Sequence, residues 1–135
     1  MQPSAANHIR IARPSANFEQ SLKFWTDGIG LRLLGHTDDS AEGGHALAFL
    51  GLPGAGWHLE LVDTSEFAST PTVEDLIVIY LQSVIEGETI QRIEAAGGVR
   101  VASHNPYWDK CGITFQDPDG YLCVLSAQSW SNGTE

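Results

Sequence analysis

Apolar positions along the chain recur with two different periods, and the switches between them predict the elements. His8-Ile9-Arg10-Ile11-Ala12 alternates as a strand does and stops at Pro14. Phe18, Leu22, Trp25 and Ile29 then follow at helical intervals, with Asn17 and Gln20 spaced as a capping box. Gly28 and Gly30 end that helix, and Leu31 to Leu34 opens a second strand. Two more strand-like runs, His45 to Leu50 and Trp57 to Val62, flank the turn-forming segment from Gly51 to Gly56.

The pattern then repeats. Leu76 to Leu81 is a continuous apolar run of strand length, and Ser83 with Glu86 repeats the capping-box spacing. A helix carrying Ile90 and Ile93 inward follows, with Glu88 and Arg92 placed for an i,i+4 ion pair. Gly97 and Gly98 end it, and Val99-Arg100-Val101 begins the next strand. Gly112 to Gln116 and Tyr121 to Ser126 complete the copy, joined by Asp117-Pro118-Asp119-Gly120, a type I turn signature. Gly30 and Gly98 stand 68 residues apart and the opening strands, at His8 and Asp75, 67 apart. A near-constant offset marks an internal duplication. The prediction is an α+β fold: one domain over 1–135 of two tandem βαβββ modules, about 6–64 and 75–127, curving a mixed sheet around a concave pocket. Thr64 to Glu74 reads as the linker, and Ser129 to Glu135 as a polar, frayed tail.

Alternation along the strands assigns faces. Ile9 and Ile11 share one face with Trp57, Leu59 and Leu61 across the sheet, and these should pack against the helices. His8, Arg10, His58 and Glu60 fall on the opposite, concave face. Imidazole and carboxylate converging there suit a divalent metal such as Zn, Ni, Fe or Mn, or else form a solvated sheet face. Arg10 is the candidate partner for an anionic group on a ligand.

The chain of 135 residues carries 17 Asp and Glu against 7 Lys and Arg, a formal net charge of -10. Nucleic acid and anionic membranes need clustered cations, so neither is expected as a partner. No apolar run approaches the roughly 20 residues of a membrane span, and no signal peptide is visible. Cys111 and Cys123 flank a single turn and read as free thiols, so a reducing cytoplasm is the expected compartment.

The two βαβββ units, the His of HIRIA, the HLEL segment and the DPDGY turn together resemble the vicinal-oxygen-chelate superfamily, which includes glyoxalases, bleomycin-resistance proteins and extradiol dioxygenases. The resemblance covers Ala6 to Ala127, and Asn105-Pro106-Tyr107-Trp108 resembles a small bacterial branch. It implies four metal positions. His8 matches the first and Glu60 the second, and Asp75 stands where His is usual. Val124 stands at the fourth, where Glu is usual, and valine cannot ligate. The resemblance also implies a homodimer and a loop, Pro106 to Lys110, that overhangs the cup.

In that loop Tyr107 and Trp108, with Lys110 beside them, either stack on a planar or cationic ligand or close the end of the fold as core. His36, His45 and His104 have no assigned role. The favoured reading is a small-molecule binding protein of the glyoxalase/bleomycin-resistance type. Its ligand site comprises Arg10, His58, Tyr107, Trp108, Lys110 and Val124. The alternative is a metal-dependent lyase, isomerase, dioxygenase or thiol transferase using His8, Glu60 and Asp75 in the same cup.

Overall fold

The computed structural model describes residues 1–38 and 45–134; Glu135, the end of the expected tail, lies outside them. Its elements run β1 (Ile9–Ser15), α1 (Phe18–Lys23), β2 (Arg32–Thr37), β3 (Leu47–Gly51) and β4 (Trp57–Asp63). They continue with β5 (Leu76–Tyr80), α2 (Gly87–Ala95), β6 (Val99–Val101), α3 (Tyr107–Lys110), β7 (Gly112–Gln116) and β8 (Leu122–Ser126). Each half forms a four-stranded mixed sheet, ordered β1-β4-β3-β2 in the first and β5-β8-β7-β6 in the second. In both, the opening strand pairs in parallel with the closing one and the rest is antiparallel. The duplicated βαβββ plan is therefore present.

Several local expectations give way to tertiary context. Pro14 does not end β1; it pairs with Val62 inside the strand. β1 lies at the sheet edge, where proline's missing N–H leaves no ladder bond unmade. The first helix changes pitch, α-helical to Lys23 and π-helical over Phe24–Gly28. The wider turn lets two adjacent aromatics, Phe24 and Trp25, both reach full burial, where the helical stripe predicted only Trp25. Gly30 and Gly97, each just after its half's helix, have φ of 99° and 97°, a left-handed conformation that glycine adopts without strain.

Neither capping box forms. Asn17 and Glu86 stand at the helix starts without a side-chain cap, and the Ser83 hydroxyl turns to the Val84 carbonyl. The amides at the start of α1 are instead met by Asp119, from the turn before β8. Its Oδ1 accepts from the backbone N–H of Ala16 and Asn17, at 3.1 and 2.9 Å. Its Oδ2 accepts from the hydroxyls of Ser15 and Ser21. Asp117, two residues earlier, accepts from the Trp25 indole N–H at 3.1 Å and from the amides of Asp119 and Tyr121. Arg92, expected to face Glu88, donates from Nε to the Gly28 carbonyl at 2.9 Å. Arg13 lies 4.2 Å above the centre of the Tyr121 ring.

These contacts join the halves around one core. Phe24, Trp25, Leu50, Leu59 and Leu61 from the first half meet Ile93, Phe115, Cys123 and Leu125 from the second. Ile9 and Ile11 do not join them. They are 60% and 46% exposed, on an edge strand, and Ile11 lines an open cleft. Cys111 is exposed and Cys123 buried, both as free thiols, and burial pushes the Cys123 thiol up to about 12.

Candidate functional site

The four polar side chains assigned by alternation to one face of the first sheet meet there in two pairs. Parallel pairing of β1 with β4 sets Arg10 beside His58 and Ala12 beside Glu60. Nε2 of His8 lies 2.7 Å from Nδ1 of His58, so one imidazole donates to the other. Phe49 stands edge-on to the His58 ring at 5.7 Å. Nη1 of Arg10 lies 3.3 Å from Oε1 of Glu60. That oxygen is buried and makes no hydrogen bond, so the contact is Coulombic. The two partners differ sharply in depth: the Glu60 side chain is 7% exposed and that of Arg10 60%. A carboxylate so far from water costs several kcal/mol unless its charge is compensated, and Arg10 supplies that compensation.

Beside this cluster, β4 with Ile11 of β1 on one side and β5 on the other form the walls of a cleft of about 490 Å³. Ile11, Leu52, Trp57, His58 and Leu59 line one side, and β5 lines the other along its whole length. The cleft exceeds the hollows of about 170, 250 and 320 Å³ found elsewhere on the described surface. Its lining is apolar apart from His58 and the Tyr80 hydroxyl, which suits the body of a small organic molecule.

Tyr80 links the cleft to an aromatic group at the end of the second half. The Trp130 ring stacks on Tyr80 at 6.4 Å, and Trp108 meets Tyr80 at 6.5 Å. Tyr107 lies edge-on to Trp108 at 5.0 Å and donates its hydroxyl to Gln128. The segment from Pro106 to Lys110 is not an open loop: Tyr107–Lys110 forms one helical turn. Nor is the tail loose throughout, since Trp130 is held against Tyr80. Sequence reading missed Tyr80, Trp57 and Trp130. Only the apolar run containing Tyr80 signalled that β5 would form a wall.

The remaining expected site residues lie elsewhere. Lys110 is exposed at the end of α3. Val124 is wholly buried, beside Val78 and Thr114. Asp75 faces the linker, where hydrogen bonds from Thr72, aided by the Arg13 charge, hold its carboxyl below the usual range. His45 lies 3.7 Å from Glu66.

Among the described residues, no three His, Cys, Asp or Glu side chains approach closely enough to share a metal ion. The set implied by the superfamily, His8, Glu60 and Asp75, is not assembled within this chain. Moreover, Glu60 faces a guanidinium and Nε2 of His8 faces a second imidazole. These residues, as arranged, do not fit a divalent cation.

Two sheets of order β1-β4-β3-β2, duplicated around paired helices, define the vicinal-oxygen-chelate fold, shared by solved glyoxalase and fosfomycin-resistance structures. Within that superfamily this chain belongs to the YycE-like family. Residues 9–62 match the YycE-like N-terminal domain and residues 74–127 the YycE-like C-terminal domain. It is 34% identical over 123 residues to the protein YycE of Bacillus subtilis (strain 168), covering 89% of this chain and 87% of YycE. A crystal structure of the Bacillus subtilis protein superposes with a TM-score of 0.83 at 30% identity, over 96% of this chain and 95% of that one. More distantly, the fold matches the fosfomycin resistance protein FosX of Listeria monocytogenes, solved with Mn(II) and sulfate. That match has a TM-score of 0.66 at 18% identity, over 95% of each chain. It also matches TnmS3, an antibiotic binding protein from Streptomyces sp. CB03234, with a TM-score of 0.63 at 22% identity, over 94% of this chain and all of that one.

Proposed function

We propose that this protein binds a small organic molecule without a metal, holding its apolar body in the cleft between β4 and β5. The observation that carries the reading is the cleft itself: about 490 Å³ with walls of branched and aromatic side chains, beside a cluster in which an arginine faces the buried carboxylate. Burial of apolar surface supplies about 25 cal/mol per Å², so a ligand of drug-like size gains several kcal/mol from these walls. An antibiotic-binding relative of the same fold, TnmS3, supports sequestration as the mode of action. The same reading makes the protein a homodimer of the cytoplasm. Ile9 is 60% exposed on an edge strand whose outer side is unpaired, an arrangement that favours association with a second copy, and both cysteines are free thiols. No helix among the described residues is long and apolar enough to cross a membrane.

The test uses N-phenyl-1-naphthylamine, an uncharged dye whose emission rises in apolar surroundings. Saturable enhancement is expected, quenching Trp57, which lines the cleft. Ile11→Glu should abolish it while leaving the thermal midpoint within about 2 °C, because Ile11 is 46% exposed and the surface charge costs little. Equal dye binding by that variant would remove the cleft as the site. Purified without chelator, the protein should carry substoichiometric metal, unchanged in a His8→Ala, Glu60→Ala double variant. Stoichiometric metal lost in that variant would restore the metal-dependent reading.

A further inference from the structure

The chain has four asparagines, and their surroundings differ in what they leave reactive. Asn17 is locked, its side-chain N–H groups bonded to the Pro118 carbonyl and the Asp119 carboxylate. Asn105 precedes Pro106, whose nitrogen carries no proton to lose. Asn7 precedes His8, whose side chain crowds the nitrogen between them. Asn132 is different. It is exposed and precedes Gly133, where a Cβ would meet nothing within 4 Å, so the approach to the Gly133 nitrogen is open. Its Oδ1 accepts the indole N–H of Trp130 at 3.2 Å. The Gly133 N–H donates to Ser131 Oγ at 3.0 Å, which polarises it. Trp130 is held in turn by stacking on Tyr80.

We infer that Asn132 is a self-modifying site, converted to aspartate and isoaspartate through a succinimide whose formation Trp130 promotes. The Gly133 nitrogen gives its proton to solvent hydroxide and attacks Cγ of Asn132. The N–Cγ bond forms, the Cγ–Nδ2 bond breaks, and Nδ2 leaves as ammonia after taking a proton from water. Water then opens the cyclic imide. Opening at Cγ yields aspartate, and opening at the backbone carbonyl yields isoaspartate. In sum, asparagine and water become an acidic residue and ammonia, with no change of oxidation state. During the attack negative charge gathers on Oδ1, the atom the indole already contacts. A donor aimed at the oxygen where charge develops lowers the barrier. Glycine at the next position leaves the nitrogen uncrowded and the backbone free to close the ring. The product carries one more negative charge, next to the aromatic group that reaches the cleft through Tyr80.

The test follows the purified full chain at physiological pH and temperature, separating acidic forms by isoelectric focusing and locating the change by peptide mapping. A form with one added negative charge should accumulate, and the change should map to Asn132. Gly133→Ala, whose Cβ crowds the attacking nitrogen and resists φ of 79°, should slow conversion about tenfold. Trp130→Phe keeps a ring for Tyr80 but removes the N–H. It should slow conversion by about threefold to tenfold, the worth of one hydrogen bond. The free peptide Ser-Trp-Ser-Asn-Gly-Thr has the same residues without Tyr80 to hold the indole, and should react at the slower rate of that variant. No charge gained at Asn132 over a period in which the peptide converts would overturn the site. A Trp130→Phe rate equal to the parent's, or a peptide as fast as the folded protein, would overturn the part assigned to the indole.

Discussion

Asp119 shows how much one side chain can hold. Burial alone would push its carboxyl up, but hydrogen bonds from Ser15, Ser21 and Asn17 outweigh that and leave it below the ordinary range. Asp117 differs: burial raises its carboxyl despite the donors from Tyr121, Trp25 and Asp119. The two shifts act oppositely on stability. For Asp119 the folded value is depressed, so its contribution is full above the unfolded carboxylate value of about 3.9 and is lost as pH falls through the folded one. For Asp117 the folded value is raised, so ionisation weakens the fold as pH rises from about 3.9 through that value. Asp119→Asn should cost about 2–3 kcal/mol in urea unfolding at pH 7, since charged hydrogen bonds and a helix cap are lost together. The variant should also lose less stability than the parent between pH 4 and pH 2. An unchanged acid limb would show that the carboxylate is not ionised in the folded protein.

At the scale of elements, β7 and α3 approach so closely that glycine is required between them. A Cβ on Gly112 would lie 2.6 Å from the Leu125 carbonyl oxygen and 2.9 Å from that of Trp108, both backbone atoms with no room to yield. Gly112→Ala should therefore destabilise by about 3 kcal/mol, the upper end for overpacking. It should also separate Trp108 from Tyr80, which near-ultraviolet dichroism would register as lost aromatic signal. Gly54→Ala, with open space around it but φ of 87°, should cost only about 1 kcal/mol.

The elements themselves were legible in the sequence because periodicity is a local property. Alternation also placed His8, Arg10, His58 and Glu60 on one face correctly. What sequence could not provide was register and cover. His8 pairs with His58, and Arg10 with Glu60, only because β1 and β4 align in one register out of several. Ile9 and Ile11 carry the same pattern as Leu59 and Leu61, yet stay exposed on the edge strand while β4 lies inside the sheet. The cleft sets β5 against residues of both β1 and β4, and Tyr80 and Trp130 meet across the second half. Distances of that kind leave no trace in a local pattern.

Taken whole, the molecule has two sheets but one core. Phe24 and Trp25 from the first half pack with Ile93, Phe115 and Leu125 from the second, and the Asp117–Asp119 turn grips the start of α1. Unfolding should therefore be a single transition, with Trp25 fluorescence and far-ultraviolet dichroism coincident in urea. A chain ending at residue 73 should not fold alone, because it would expose that shared apolar surface and lose the carboxylates that receive the Trp25 indole and the α1 amides. Two resolved transitions, or a cooperatively folded fragment, would refute this unity.

The grip on α1 runs in one direction, since the matching turn of the first half, Gly51 to Gly56, contains no carboxylate. The Asn17 amide must wait for an acceptor 102 residues further along. On a ribosome, the first half emerges with its leading helix unanchored and stays so until Asp119 has cleared the exit tunnel. Anchoring of that helix is therefore an event that waits for synthesis of the second half.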